Sequence, residues 1–350
     1  MTTGMKKFTK GCLYTALVIF IIGAVLCGVG GLLGGFRQLD NMDIREVTGI
    51  PLVYRIGPKG IEYGFGFWED GDVNWNGYEG WQRINDNEGV RKLSLTADTL
   101  RNLYIEADAC ELHIEKSEDE FVRLAVDGDA NTLRYHIEDG DLRIVRKWNR
   151  TWRLVSINLT DTVNKVYLYL PEGTSLDYMD IEIGAGTMAG TTDSIGLTTR
   201  DVNIEVGAGE LEIDSLTVDN EAVLKVGAGT IRIKKLVCDV ADMDIGAGEL
   251  DINDVVVAKE ANIDLGMGSV DIGGIITGDL NVDCSMGEVI LDMDDDEQNH
   301  NFEINCSMGE VRVGSRSYSS LSSSQTTNNG SDSNFDIDCS MGTVTVKFAQ

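Results

Sequence analysis

Histidine and proline are scarce in this chain: its 350 residues hold three histidines (His113, His136 and His300) and three prolines. Three dispersed imidazoles give no basis for a histidine-built metal centre. No Cys-x-x-C pair occurs among the seven cysteines, which excludes zinc-ribbon and thioredoxin-like chemistry. Positive charge is short as well. Lys and Arg total 29 against 58 Asp and Glu, a formal net charge of −29. Nucleic-acid binding relies on basic side chains that neutralise phosphates, so that class of partner is excluded. No Gly-Lys-Ser/Thr follows any Gly-rich stretch, so there is no phosphate loop. The remainder is globular in composition, with 42% hydrophobic and 25% charged residues, and long enough for one large domain or two modest ones.

One long apolar run is present. Residues 12–36 carry no charge, and a bilayer core is crossed by about 20 apolar residues in a helix. The segment predicts an uncleaved transmembrane helix, since a cleavable signal has a shorter apolar region, roughly 7–15 residues. Lys6, Lys7 and Lys10 precede it, while Arg37, Asp40 and Asp43 follow. The positive-inside rule then places residues 1–11 in the cytoplasm and the rest outside, a single-pass cell-membrane topology. Without those three lysines, residues 37–350 carry −32. Gly30 and Gly34, like Gly31 and Gly35, have the small-xxx-small spacing that can pair helices, although glycine is common in membrane helices generally.

A repeat dominates the C-terminal half. The phrase IEIGAGTM, beginning at Ile181, returns as IEVGAGELEI, LKVGAGTIRI, MDIGAGELDI, IDLGMGSVDI, VDCSMGEVIL, INCSMGEVRV and IDCSMGTVTV. Its central tripeptide begins at 184, 207, 227, 246, 266, 285, 307 and 340, so the spacing is 19–23 residues until a last gap of 33. A period near twenty with short alternating strands predicts an all-β parallel solenoid, expected to be a right-handed β-helix, over residues 179–350. The glycines that mark it are Gly184, Gly186, Gly207, Gly209, Gly227, Gly229, Gly246, Gly248, Gly266, Gly268, Gly287, Gly309 and Gly342. Val206 and Leu211 both read as inward although five residues apart, so the tripeptide must reverse the strand phase. Glycine there is expected to supply unusual backbone angles. The middle residue, Ala185, Ala208, Ala228 and Ala247 and then Met267, Met286, Met308 and Met341, is expected to point inward, with the interior widening or repacking toward the C-terminus.

Other columns carry candidate chemistry. Cys284, Cys306 and Cys339 share one repeat position, held by Val206, Val226, Ile245 and Leu265 in earlier copies. They read as a stack of small buried hydrophobes rather than a thiol site. Asp244, Asp264 and Asp283 would form a row of like charge, which solvent or a weakly held calcium or magnesium ion could relieve. Asp292, Asp294 and Asp296, with Glu303 at position twelve, have EF-hand spacing, but Glu297 replaces the turn glycine. Asp70, Asp72 and Asn74 have it too, with Trp75 and Trp81 at positions that need Gly and Glu. No catalytic residues are assigned, and no cofactor is expected beyond that calcium possibility.

Residues 37–90 form a juxtamembrane region rich in glycine and aromatics, including Trp68, Trp75 and Trp81, which could bind glycan, lie on the membrane surface or fill a small satellite core, packing being the commonest fate of Trp. Residues 91–178 alternate strongly and read as the β-rich lead-in to the solenoid. Residues 314–334 are polar and low in complexity, a loop carried by the last coil.

From Leu93 onward the chain resembles the bacterial “putative adhesin” family of DUF4097-type β-strand repeat proteins. The resemblance rests on YIEADACELHIEKSEDEFVRLAV, on DLRIV followed by VYLYLPEGTSLDYMDIEIGAG, and on the Gly-bearing coils. It implies a β-helical ectodomain on a bacterial envelope protein, with some relatives linked to envelope stress and cationic antimicrobials. It brings no catalytic residues. The expected function is a non-enzymatic, adhesin-like or envelope-stress binding module at the membrane, with cationic peptides, cell-wall components or another envelope protein as partners. The alternatives are a self-associating structural protein and, with less support, a β-helix enzyme acting on polysaccharide.

Overall fold

The computed structural model describes residues 52–57, 60–65, 75, 78, 80–84 and 89–349, less 109, 128–131, 148–164 and 320–322. The apolar run 12–36 lies outside the described residues, as do Asp70, Asp72 and Asn74. Among the described residues no helix is long and apolar enough to cross a membrane. The chain divides into two units. In the smaller one, Leu52–Gly57 and Gly60–Phe65 form an antiparallel hairpin.

The larger unit is all-β and is built as a ladder of coils. Alternation of apolar and charged residues puts every second side chain inward, as in Glu210–Val226, where Leu211, Ile213, Leu216, Val218, Ala222, Leu224 and Val226 are buried. A complete coil has three short strands: residues 221–226, then 230–233 after the Gly-bearing bend, then 235–238. Each strand pairs in parallel and in register with its counterpart in the next coil, so like residues stack. One inward column runs Ile204, Leu224, Met243, Ile263 and Val282. The apolar interior is one continuous cluster.

Ten rungs stack among the described residues, and their spatial order is not their sequence order. Near the N-terminal end, the rung of Asp141–Arg146 and Lys165–Leu170 lies outside that of Asn102–Ala107 and Glu111–Lys116. The latter pairs directly with Ser175–Ile183 and Thr187–Gly190. Sequence order then holds as far as Asp279–Cys284 and Glu288–Met293. There the last repeat, Ser333–Cys339 and Thr343–Phe348, is inserted. The preceding repeat, His300–Cys306 and Glu310–Val313, becomes the outermost rung.

Both outer rungs are covered by antiparallel strands. Leu133–Glu138 lies on Asp141–Arg146, and Phe121–Asp127 on Lys165–Leu170. At the other end Ser323–Thr327 lies on His300–Cys306, and Arg316–Tyr318 on Glu310–Val313. The polar stretch 314–334 is therefore more than a loop, since it supplies the two strands that close the C-terminal edge.

The bend corrects two expectations. Its middle residue points out: Met267, Met286, Met308 and Met341 are 63%, 51%, 64% and 52% exposed. The phase reverses because two successive residues, such as Gly207 and Ala208, both face solvent at an outside corner. None of the repeat glycines has a positive φ. The third position is glycine for want of space, since a Cβ at Gly209 would lie 2.3 Å from the Gly186 carbonyl oxygen. The interior does repack toward the C-terminus, but in another column. There Ala222, Ala241 and Ala261 give way to Leu280, Phe335 and Phe302.

Candidate functional site

The first strand of each coil contributes to one broad sheet face, and its outward residues form two columns. One runs Glu106, Glu182, Glu205, Lys225, Asp244, Asp264, Asp283, Asp338 and Asn305. The other, two residues earlier along each strand, includes Asp242, Asn262, Asn281, Asp336 and Glu303. Strict alternation places both columns outward, and in-register stacking lines them up about 4.8 Å apart from rung to rung. Four aspartates, Asp244, Asp264, Asp283 and Asp338, thus stand on adjacent rungs. Asp338 joins the row only because the last repeat is inserted beside Asp283.

Three carboxyls on this face are raised, first by burial and then by like-charged neighbours. Partial burial, then Asp283, Asp244 and Asp242, raise the Asp264 carboxyl above its usual range. Burial followed by Asp338 and Glu303 does the same to Asp336. Glu182 is raised by burial and then by Glu106 and Glu205. Along the second column Asn262 accepts a hydrogen bond from Asn281 at 2.8 Å. A shallow depression of about 210 Å³ lies there, lined by Asp242, Asn262, Asp264, Asn281, Asp283 and Asp336 among others.

The other faces differ in kind. Arg232 bridges Glu210 and Glu249, and Lys234 pairs with Asp214. Lys259 meets Asp239 at 2.7 Å, and Arg312 meets Glu310 at 2.6 Å. Among the described residues no ion pair neutralises Asp242, Asp244, Asp264, Asp283, Asp336 or Asp338. Lys225 stands beside Asp244 in the same column, and Asp264, Asp283 and Asp338 continue the row beyond it as three successive acids.

The calcium-like spacing after Asp292 does not gather its ligands. Asp292 lies 3.7 Å from Lys347, Asp296 caps a short 3₁₀ turn by accepting from Gln298 N, and Glu303 sits within the acidic face. Among the described residues no group of three or more His, Cys, Asp or Glu converges to hold a metal. Cys284, Cys339 and Cys306 stack on successive rungs and are buried. Burial pushes the Cys339 thiol up to about 12 and raises Cys284, which leaves them as packing residues at ordinary pH.

One feature escaped sequence reasoning, and one expected packing cluster is seen. His300, Ser333 and Asp295 form a hydrogen-bonded chain, with His300 Nδ1 2.7 Å from Ser333 Oγ and Nε2 2.8 Å from Asp295 Oδ2. The residue types match a hydrolytic triad, but Ser333 is buried and its hydroxyl donates to the Gly278 carbonyl at 2.6 Å. His300 also packs 4.0 Å from the Phe335 ring. The His300 ring also lies against Phe302 and Phe348. Near the N-terminal cap Trp75, Tyr78 and Trp81 pack edge to face, with His136 stacked on Trp81.

The sequence pattern of the family described as Toastrack DUF4097 matches residues 100–347. Among solved structures, a “putative adhesin” from Bacteroides fragilis is 12% identical, with a TM-score of 0.43, over 75% of this chain and 99% of that one. A “putative adhesin” from Parabacteroides merdae is 14% identical, with a TM-score of 0.38, over 76% and 99%. A “putative lipid binding protein” from Parabacteroides distasonis is 16% identical, with a TM-score of 0.36, over 77% and 100%. Likenesses at these levels carry no argument about function. No curated protein matches the chain.

Proposed function

The chain belongs to the Toastrack DUF4097 family, and from that premise we propose that it is a non-catalytic envelope protein whose acidic sheet face binds cationic partners. The family accounts for the solenoid. The function is read from the charge distribution on it. The observation that supports this reading is the row itself: Asp244, Asp264, Asp283 and Asp338 stand on adjacent rungs without a salt bridge among the described residues, whereas Glu210, Asp214, Asp239 and Glu249 on other faces are paired with Arg or Lys. Like charges opposed across strands destabilise a sheet, so this face costs stability that a cationic ligand would return. A flat, periodic array suits an extended basic peptide or a basic protein segment, whose charges it attracts over about a Debye length.

In this reading the apolar run 12–36 anchors the protein, Lys6, Lys7 and Lys10 hold the N-terminus inside, and the solenoid is displayed outside. Protease treatment of intact cells carrying a tag at Gln350 tests the display: loss of the tag agrees with it, and protection until permeabilisation contradicts it. Binding is tested by titrating the full chain with an extended lysine-rich peptide across a salt series. The expected result is saturable binding at about 0.15 M salt that weakens as salt rises. No binding at that ionic strength overturns the reading.

A further inference from the structure

Long apolar side chains are rarely exposed on this solenoid. Among the described residues the exposed large hydrophobics are Val90, Val256 and four methionines, Met267, Met286, Met308 and Met341. The methionines are neighbours. Met267 N donates to Gly246 O at 2.7 Å, Met286 N to Gly266 O at 2.8 Å, Met341 N to Ser285 O at 2.8 Å and Met308 N to Ser340 O at 2.7 Å. These bonds stack the bends in the order Met267, Met286, Met341, Met308, one per rung. The other described methionines, Met179, Met188, Met243 and Met293, are buried in the interior.

The fold does not require methionine at this corner. Ala185, Ala208, Ala228 and Ala247 occupy the same exposed place on the four preceding rungs, so the change to methionine puts four thioethers into solvent without filling any core space. We propose that Met267, Met286, Met341 and Met308 form a thioether ladder that binds soft monovalent metal ions, copper(I) or silver(I), each ion held between sulfurs of neighbouring rungs.

Three considerations carry this. Thioether sulfur is a soft donor that selects ions such as copper(I) over calcium, magnesium or zinc. The spacing fits: rungs lie about 4.8 Å apart, and two sulfurs on opposite sides of one ion, each bonded at about 2.3 Å as for other metal–sulfur bonds, stand about 4.6 Å apart. Methionine has the flexible side chain needed to close the small difference. The surroundings favour a cation. Asp264, Asp283 and Asp338 lie three residues before the methionines on their rungs, and Glu288 and Glu310 two residues after. Both flanks are therefore acidic, while the ridge itself is neutral and soft. The ridge borders the acidic face, and ligation by its sulfurs does not depend on that face binding a peptide.

The test is a titration of the full chain, labelled with [methyl-13C]methionine, with silver(I) and then with anaerobic copper(I). The methyl resonances of Met267, Met286, Met308 and Met341 are expected to shift, and those of Met179, Met188, Met243 and Met293 to stay. Met286→Leu with Met341→Leu, which keeps side-chain bulk at exposed positions, is expected to weaken binding by roughly tenfold or more. Cys284→Val with Cys306→Val and Cys339→Val, the residue type found at that position in earlier coils, is expected to leave the methionine shifts intact. Unmoved methionine resonances, unchanged affinity in the leucine variant, or shifts that vanish with the cysteines would each overturn the assignment.

Discussion

A single methyl group separates two neighbouring positions of the bend. A Cβ at Gly248 would lie 2.4 Å from the Gly229 carbonyl oxygen and 2.4 Å from Val226 Cγ1. Gly248→Ala is expected to cost about 1–3 kcal/mol, read as a lower denaturation midpoint. Ala247→Met, one residue earlier, should change stability by less than about 0.5 kcal/mol, because Met267 already sits exposed at that place on the next rung. Equal losses would contradict this geometry. The glycines were legible in the sequence as markers, but their reason was not: recurrence shows that a small residue is needed, not whether angle or space demands it. The acidic face makes a pH prediction at the same scale. Asp264 has its carboxyl raised in the folded state, chiefly by burial and then by neighbouring aspartates. Such a group favours folding below its unfolded pKa and loses that contribution as pH rises through its folded pKa. Asp264→Asn is therefore expected to be the more stable protein at neutral pH, by at most a few tenths of a kcal/mol (~0.2–0.5) because solvent screens this exposed carboxyl. The difference should vanish on acidification through the carboxylate range. A constant difference across paired thermal melts would contradict it.

At the scale of elements, the alternation and the twenty-residue period made the stacked strands readable directly. Inward Leu, Ile and Val at every second place leave few other options once eight copies recur. The rung order was not readable, because all copies carry the same local pattern and nothing in Ile304 or Ile337 states which lies beside Val282. The caps were hidden for a related reason. Ser323–Thr327 is polar on both sides and reads as a loop, yet it closes the edge of His300–Cys306. An open parallel edge is a template for association. Ser324→Pro with Gln325→Pro should unpair this strand and produce concentration-dependent self-association in sedimentation, with the wild type unchanged under the same conditions. A variant as monodisperse as the wild type would show that the strand does not protect the edge.

Over the whole molecule, the formal charge of −29 announced an acidic protein without saying where the charge lies. The columns Asp244, Asp264 and Asp283 were visible as a row, but two facts came only from the structure. One is that Asp338 extends the row through the inserted last repeat. The other is that Arg232, Lys234, Lys259 and Arg312 neutralise acids on other faces, while Lys225 beside Asp244 is the base in this column. The proposed binding thus depends on where the charge lies rather than on the net charge. It is tested by comparing two variants of the full chain that remove the same charge. The first replaces Asp244, Asp264, Asp283 and Asp338 with Asn. The second replaces Asp214, Asp239, Glu249 and Glu310, which are paired with Lys or Arg, with Asn or Gln. Affinity for the lysine-rich peptide is measured at one fixed salt concentration. The account predicts that the first variant loses roughly tenfold or more in affinity while the second stays close to the wild type. Equal losses in both would mean that the peptide reads net charge alone, and would contradict the acidic face as the binding site.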